Sequence, residues 1–473
     1  MNEESKKKMQ DVEELEVGVA TKLLGYDPVA HKTGLVPISR VNGGVPWFGR
    51  KWAAGNSSPV GKPIGDIDLG KELPYQIGLG GYLVQNNHSR VKLSASNHNL
   101  LENGGAADLT GAAGHYQWGW NVPMYYQVYL EDGDLCETFS LGGPRKGYWN
   151  YRIPVGSRSC AGYATMDRNS DTLVSFVNKQ PQYRGGNNDA AKDANYNSQL
   201  GVPATNLSIE AFRNAARRNG TLWFANERVM HYVTGALMRV IFGTRNVQAE
   251  YVSERDSYGL RQGGLGTGVS QPDDWNNDWS YYPYVPLDAG VQYGDLTGVF
   301  QTGIVDAHGI KDITGIPSFF GLKNFYKYLY CMSENMLLQC NADKSQSLFI
   351  SNNIDGSLMS LASVAGLTKI ATGPSIETAA WIYPAEMTLK NLAFFPKDTG
   401  GSSSTFWCDG YYNPASTSGL RGAMLLGNAG NGASAGWAYL SGGRDAPSGA
   451  SATRAAFLCE WAEEFTTLPV WAE

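Results

Sequence analysis

The sequence is short of the features that usually announce a chemistry. Its six cysteines, Cys136, Cys160, Cys331, Cys340, Cys408 and Cys459, are scattered and form no Cys-x-x-Cys pair, which argues against a zinc site. No apolar run reaches the roughly 18 residues of a membrane-spanning helix, so membrane insertion is not expected. The net charge is −6 and no lysine/arginine block could track a phosphate backbone, which excludes a nucleic-acid partner. Residues 1–16 are highly charged and lack the apolar stretch of a secretory signal. Without export the cysteines are expected to be reduced, mostly buried thiols, and the Asn206-Leu207-Ser208 sequon has no consequence. His31, His88, His98, His115, His231 and His308 show no metal or relay spacing. The acidic pairs Asp273-Asp274 and Glu463-Glu464 are adjacent in sequence, which suits a solvated surface better than acid/base work. We therefore expect no enzyme, no cofactor and no metal.

What the chain has in quantity is glycine, 57 residues, and aromatics, at 12 %. Both favour a turn-rich, partly β structure over helical bundles. A charged arm over 1–16 is followed, over 17–115, by a small β-rich module of short apolar stretches cut by Gly and Pro, such as Val45-Pro46-Trp47-Phe48-Gly49 and Gly78-Leu79-Gly80-Gly81-Tyr82. Asn103 to Gly114 reads as a linker or a loop, and a second domain spans 116–473. Within it, Met124 to Leu130 is aromatic and β-branched, as a strand should be.

Two helices stand out. Ser208 is placed to cap the first, with Arg217 and Arg218 in its last turn and Gly220 as its stop. The second starts near Asn226, carries Val229, Met230, Val233, Leu237, Val240 and Ile241 on one face, and ends at Gly243. A third helical piece is expected over Phe320 to Tyr330, with Phe325, Leu329 and Tyr330 in the core. Gly263-Gly264-Leu265-Gly266-Thr267-Gly268 lacks the Gly-Lys-Ser/Thr ending of a phosphate loop and reads as a structural turn. Gln271-Pro272-Asp273 and Trp275-Asn276-Asn277-Asp278 resemble the calcium and sugar elements of C-type lectins, but they are nearly fused here, so an Asx-capped loop is the simpler expectation.

The C-terminal stretch is the most informative. Small polar residues alternate with aromatic and cysteine anchors: Trp407-Cys408-Asp409-Gly410-Tyr411-Tyr412, Ser418-Gly419-Leu420-Arg421, Ala435-Gly436-Trp437-Ala438-Tyr439, Ala446-Pro447-Ser448 and Leu458-Cys459. A flexible tail would lack anchors such as Trp437, Tyr439, Phe457 and Trp461, which want burial. This framework resembles the variable region of diversity-generating retroelement target proteins, especially those of Bacteroides-type phages and prophages. Upstream, 208–243, Tyr258 to Gly266 and Phe320-Gly321-Leu322 resemble the body of the same proteins, so the likeness covers about 120–465.

The resemblance implies an α+β, C-type lectin-like (formylglycine-generating-enzyme-like) domain with two helices and a loop-rich β region, preceded by the small β-rich module. Its variable region lies at about 405–461. The family's asparagine-like variable sites fall on Asn413, Asn428, Gly430, Asn431, Ser434, Leu440, Ser441, Gly443, Arg444, Asp445, Gly449, Ser451, Thr453 and Arg454. Phe406, Trp407, Tyr439, Phe457 and Leu458 should hold the backbone still around them. The function implied is that of a phage tail-tip receptor-binding protein, a homotrimer in the virion, assembled in the bacterial cytoplasm. It would contact a bacterial surface protein or glycan and join other tail proteins through its N-terminal module. A non-phage bacterial variable protein, displayed or secreted, is the alternative.

Overall fold

The computed structural model describes residues 22–27, 32–37, 45–185, 201, 203–250, 287–306, 309–325, 329–428, 431–443, 446–451 and 454–473, with 22–37 and 301–315 given by backbone alone. The charged arm, the Gly263–Gly268 turn and the Gln271–Asp278 loop lie outside these residues.

The fold is α+β and dominated by antiparallel strands in three large sheets. The first runs in the order Val470–Trp471, Trp149–Ile153, Met124–Glu131, Asp134–Leu141, Trp47–Trp52, Lys62–Gly65. The second runs Trp223–Ala225, Leu458–Trp461, Gly156–Ser159, His115–Trp120, Gly80–Val84, Arg90–Ser94, Asn97–Leu101. The third runs Thr368–Thr372, Gln346–Ile350, Tyr330–Cys340, Leu420–Leu426, Gly436–Ser441, Tyr411–Asn413, Ala380–Ile382, with Arg454–Ala455 paired in parallel to Tyr330–Cys340.

The expected boundary at residue 115 runs through two of these sheets. Gly80–Val84 pairs with His115–Trp120, and Trp47–Trp52 pairs with Asp134–Leu141. Phe48, Leu83, Trp118, Phe139, Leu338 and Trp437 belong to one buried core. The hairpin of Lys22–Asp27 and Lys32–Pro37 stands apart as a two-stranded sheet.

Helix α1 (Ile209–Arg217) forms where the cap signal places it, with Ser208 Oγ accepting from Ala211 N at 3.1 Å. Helix α2 (Arg228–Phe242) starts at Glu227, whose carboxylate accepts from Met230 N at 3.0 Å, and stops at Gly243 in the left-handed region, φ 75°. The described residues of 320–330, namely 320–325 and 329–330, are not helical. Positive φ at Phe320, Gly321 and Asn324 turns the chain, and Leu322–Lys323 and Tyr330–Cys340 are strands. Phe325 and Leu329 are nonetheless buried, as expected, while Tyr330 is partly exposed.

The pattern of α2 predicts one buried face, but every residue from Arg228 to Val240 is buried. The helix touches the first sheet at Trp47–Trp52 and Asp134–Leu141, the second at Gly156–Ser159, and the third at Tyr330–Cys340 and Gly436–Ser441. A helix enclosed on all sides must satisfy its polar side chains internally. Arg228 donates to the carbonyls of Asn391 (2.9 Å), Leu392 (2.8 Å) and Ser351 (2.9 Å). Arg239 grips Glu137 through Nε and Nη2, at 3.0 and 2.7 Å, and Tyr126 donates to the same carboxylate at 2.6 Å. Burial pushes the Glu137 carboxyl up, but the Arg239 charge and the hydrogen bonds outweigh it and hold the group below its ordinary range. Glu137→Ala should therefore cost about 3–5 kcal/mol by chemical denaturation, since it strands a buried guanidinium. Tyr126→Phe should cost only about 1 kcal/mol; equal losses would contradict a charge-pair role.

Candidate binding face

Residues 405–461 are woven into two sheets. The segment enters through a tight turn with positive φ at Phe406 and Cys408, which buries Trp407. The Trp407 ring packs edge-on against Phe394 at 5.9 Å. Asp409 follows, and its Oδ2 accepts from Ala438 N at 2.8 Å, tying the turn to the strand Gly436–Ser441. Tyr411–Asn413 then pairs with Ala380–Ile382 and, in parallel, with Gly436–Ser441. Leu420–Leu426 lies between Tyr330–Cys340 and Gly436–Ser441, and Leu458–Trp461 crosses to the second sheet.

Large side chains hold each crossing. Trp437 packs on His231 at 5.1 Å, and its carbonyl bonds His231 Nε2 at 2.9 Å. The ring is packed, and its Nδ1 is buried without a hydrogen-bond partner among the described residues. Phe457 sits under the Arg158 guanidinium at 3.6 Å and meets Tyr163 edge-on at 4.6 Å. Trp461 donates through Nε1 to Glu227 at 3.1 Å. Of the expected backbone anchors, Trp407, Tyr439, Phe457 and Leu458 are buried and Phe406 partly so.

The candidate variable positions divide into three groups. Asn413, Ser434, Leu440, Ser441 and Arg454 are buried in this chain. Asn413 donates to the Lys344 carbonyl at 3.0 Å and accepts from Ala415 N at 2.9 Å, and Arg454 donates to the Gly449 carbonyl at 2.9 Å. These side chains serve the frame here and are buried, Ser434 at the end of the short helical turn Gly432–Ser434 and the others on strands. Asn428, Asn431, Gly443, Gly449 and Ser451 are half-exposed. Gly430, Arg444, Asp445 and Thr453 lie outside the described residues. Solvent reaches Ser418, Gly419, Ala446 and Ser448, which belong to the framework read from sequence, and Ala433 and Ala450 more freely. At Gly443 a side chain would meet the Tyr412 ring at 2.3 Å, so diversity there requires Tyr412 to move.

Beside this face lies a groove of about 760 Å³. Leu358 and Met359 give it apolar walls, while Glu210 and Arg213 from α1, with Arg421 and Ser448, give it polar ones. Amphipathic walls of this kind suit a sugar or a peptide. Arg213, in the middle of α1, is 5 % exposed. Its place in the groove depends on a loop about 145 residues away, which no local spacing reveals.

Sequence spacing also missed a buried polar cluster. His98 Nε2 meets Asp295 at 2.8 Å, and Lys323 Nζ approaches His98 Nδ1 at 3.1 Å and the Gly294 carbonyl at 2.8 Å. Burial pushes His98 down to about 4, helped by the Lys323 charge and opposed by Asp295. With His98 and Lys323 sealed from solvent, the cluster is a strut joining distant loops. All six cysteines are buried and unbridged.

A comparison with protein-family models and one with curated proteins find no match to this chain.

Asp409 offers a direct check on the frame. Burial pushes its carboxyl up to about 8, against the Ala438 N–H and the Arg239 charge, which pull it down. Between its ordinary 3.8 and about 8 the folded chain holds the extra proton, so stability from this residue falls as pH rises through that window. The slope reaches at most about 1.4 kcal/mol per pH unit. Asp409→Asn should gain Tm relative to the parent as pH rises from about 4 to about 8; parallel Tm curves over that range would contradict a buried, proton-holding Asp409.

Proposed function

We propose that the chain is a receptor-binding protein whose C-terminal surface is diversified by a retroelement, a phage or prophage tail-tip adhesin for a bacterial surface protein or glycan. One observation carries the proposal: residues 405–461 combine fully buried anchors with small side chains at their half-open positions. Trp407, Trp437, Phe457 and Trp461 are each at most 1 % exposed, and the open points are Asn428, Asn431, Gly443, Gly449 and Ser451. Such a frame keeps its backbone while side chains change, which is the requirement for varying recognition without refolding. We further propose a C-type lectin-like fold for this part, on the strength of its two helices and the return of Leu458–Trp461 to pair with Trp223–Ala225 beside α2. Attachment to other tail proteins is assigned to the N-terminal residues ahead of the shared sheets, which include the hairpin Lys22–Asp27 and Lys32–Pro37. In a trimer, weak single-site contacts would add through avidity.

Sequencing codons 405–461 across a population of the source phage or bacterium tests the proposal. Substitutions should concentrate at the candidate positions, the half-exposed ones foremost, and trace to adenines in a near-copy of the same DNA. Uniform codons with no near-copy would leave a fixed structural protein.

A further inference from the structure

A second pocket, of about 640 Å³, lies apart from the proposed binding face, since none of the described candidate variable positions lines it. Its walls include Trp52, Leu130, Leu135, Met387 and Trp407, and Arg245 also lines it. The Arg245 guanidinium lies over two indole rings, 4.9 Å from the Trp52 centroid and 4.5 Å from that of Trp407. The residue is only 7 % exposed. Among the described residues its side chain has no hydrogen-bond or ion-pair partner, and Nε is buried without one. The nearby carboxylates are engaged elsewhere. Glu137 holds Arg239 at 2.7 Å, Glu386 holds Lys397 at 2.6 Å, and Asp398 accepts from the Ala385 and Glu386 N–H groups at 2.7 and 3.0 Å.

A buried cation that rests on ring faces, with the Glu137 charge acting on it but no hydrogen bond made, is incompletely compensated. Desolvation lowers its pKa to about 10, so it is still charged at neutral pH. Its planar fork of N–H donors matches a carboxylate, while the surrounding walls favour an apolar body. The volume falls within the range of small-molecule sites.

We propose that this pocket binds a small organic monocarboxylate, its charged end on Arg245 and its aliphatic or aromatic body against Trp52, Leu135 and Met387. Octanoate titrated into the full chain by calorimetry, at fixed ionic strength, tests the assignment, with octan-1-ol and acetate as controls. Octanoate should bind saturably and more tightly than either control. Arg245→Met should weaken octanoate about tenfold or more while leaving octan-1-ol unchanged. Leu130→Asp, at a pocket residue that is 71 % exposed and outside the core, should also weaken octanoate by setting a like charge beside it, even if the arginine variant fails to fold. Absence of saturable binding to the parent would overturn the proposal. So would octanoate binding no tighter than octan-1-ol, or unchanged in Leu130→Asp.

Discussion

The pair formed by Arg239 and Glu137, buried where α2 meets the first sheet, represents the constraint on which the rest of the molecule depends. A helix enclosed on every side gains apolar burial along its length but leaves its polar side chains nowhere to meet water. Several are instead matched to the surrounding layers. Arg239 takes Glu137 of the first sheet, and Glu227 takes Trp461 of the second and Asn335 of the third. His231 takes the Trp437 carbonyl of the third. Apolar contacts tolerate sliding, whereas these bonds have direction and a high cost of rupture in a low-dielectric interior. They fix how the sheets meet, and so where the C-terminal strands lie.

The proposed binding face follows from that register. Trp437 and Trp461 both bond to α2 or its cap, so the strands beside the loops are positioned from inside the molecule. Asn428, Asn431, Gly443, Gly449 and Ser451 then sit on connections between fixed ends. Fixed ends reduce the entropy lost when a ligand binds, and this advantage persists whatever side chains the loops carry. The groove beside Arg213 and Arg421 adds a part of the surface drawn from the framework.

Local signals were legible in the sequence, and non-local ones were not. Both helices and the strand at Met124–Glu131 follow from caps, stops and residue type. The helix expected over 320–330 is absent from its described residues because positive φ at Phe320 and Asn324, which apolar spacing does not register, turns the chain. The boundary at 115 failed because strand pairing across it, such as Leu83 with Tyr116, leaves no mark in composition. Resemblance could place the candidate variable positions along the chain. It could not say that Asn413 and Leu440 would be covered, since burial depends on which strands lie alongside. Arg213 and Arg245 looked like ordinary basic residues until distant segments closed around them.

Hydrogen–deuterium exchange resolved along the chain tests the central claim most directly, that the C-terminal segment is a frame fixed through α2 with open loops between fixed ends. The amides of Gly436–Ser441 and Leu458–Trp461 should exchange as slowly as those of α2, through global unfolding only, while those of 446–451 exchange much faster. If the whole of 405–461 opened together, well ahead of α2, the segment would be a separable tail and the account would be wrong.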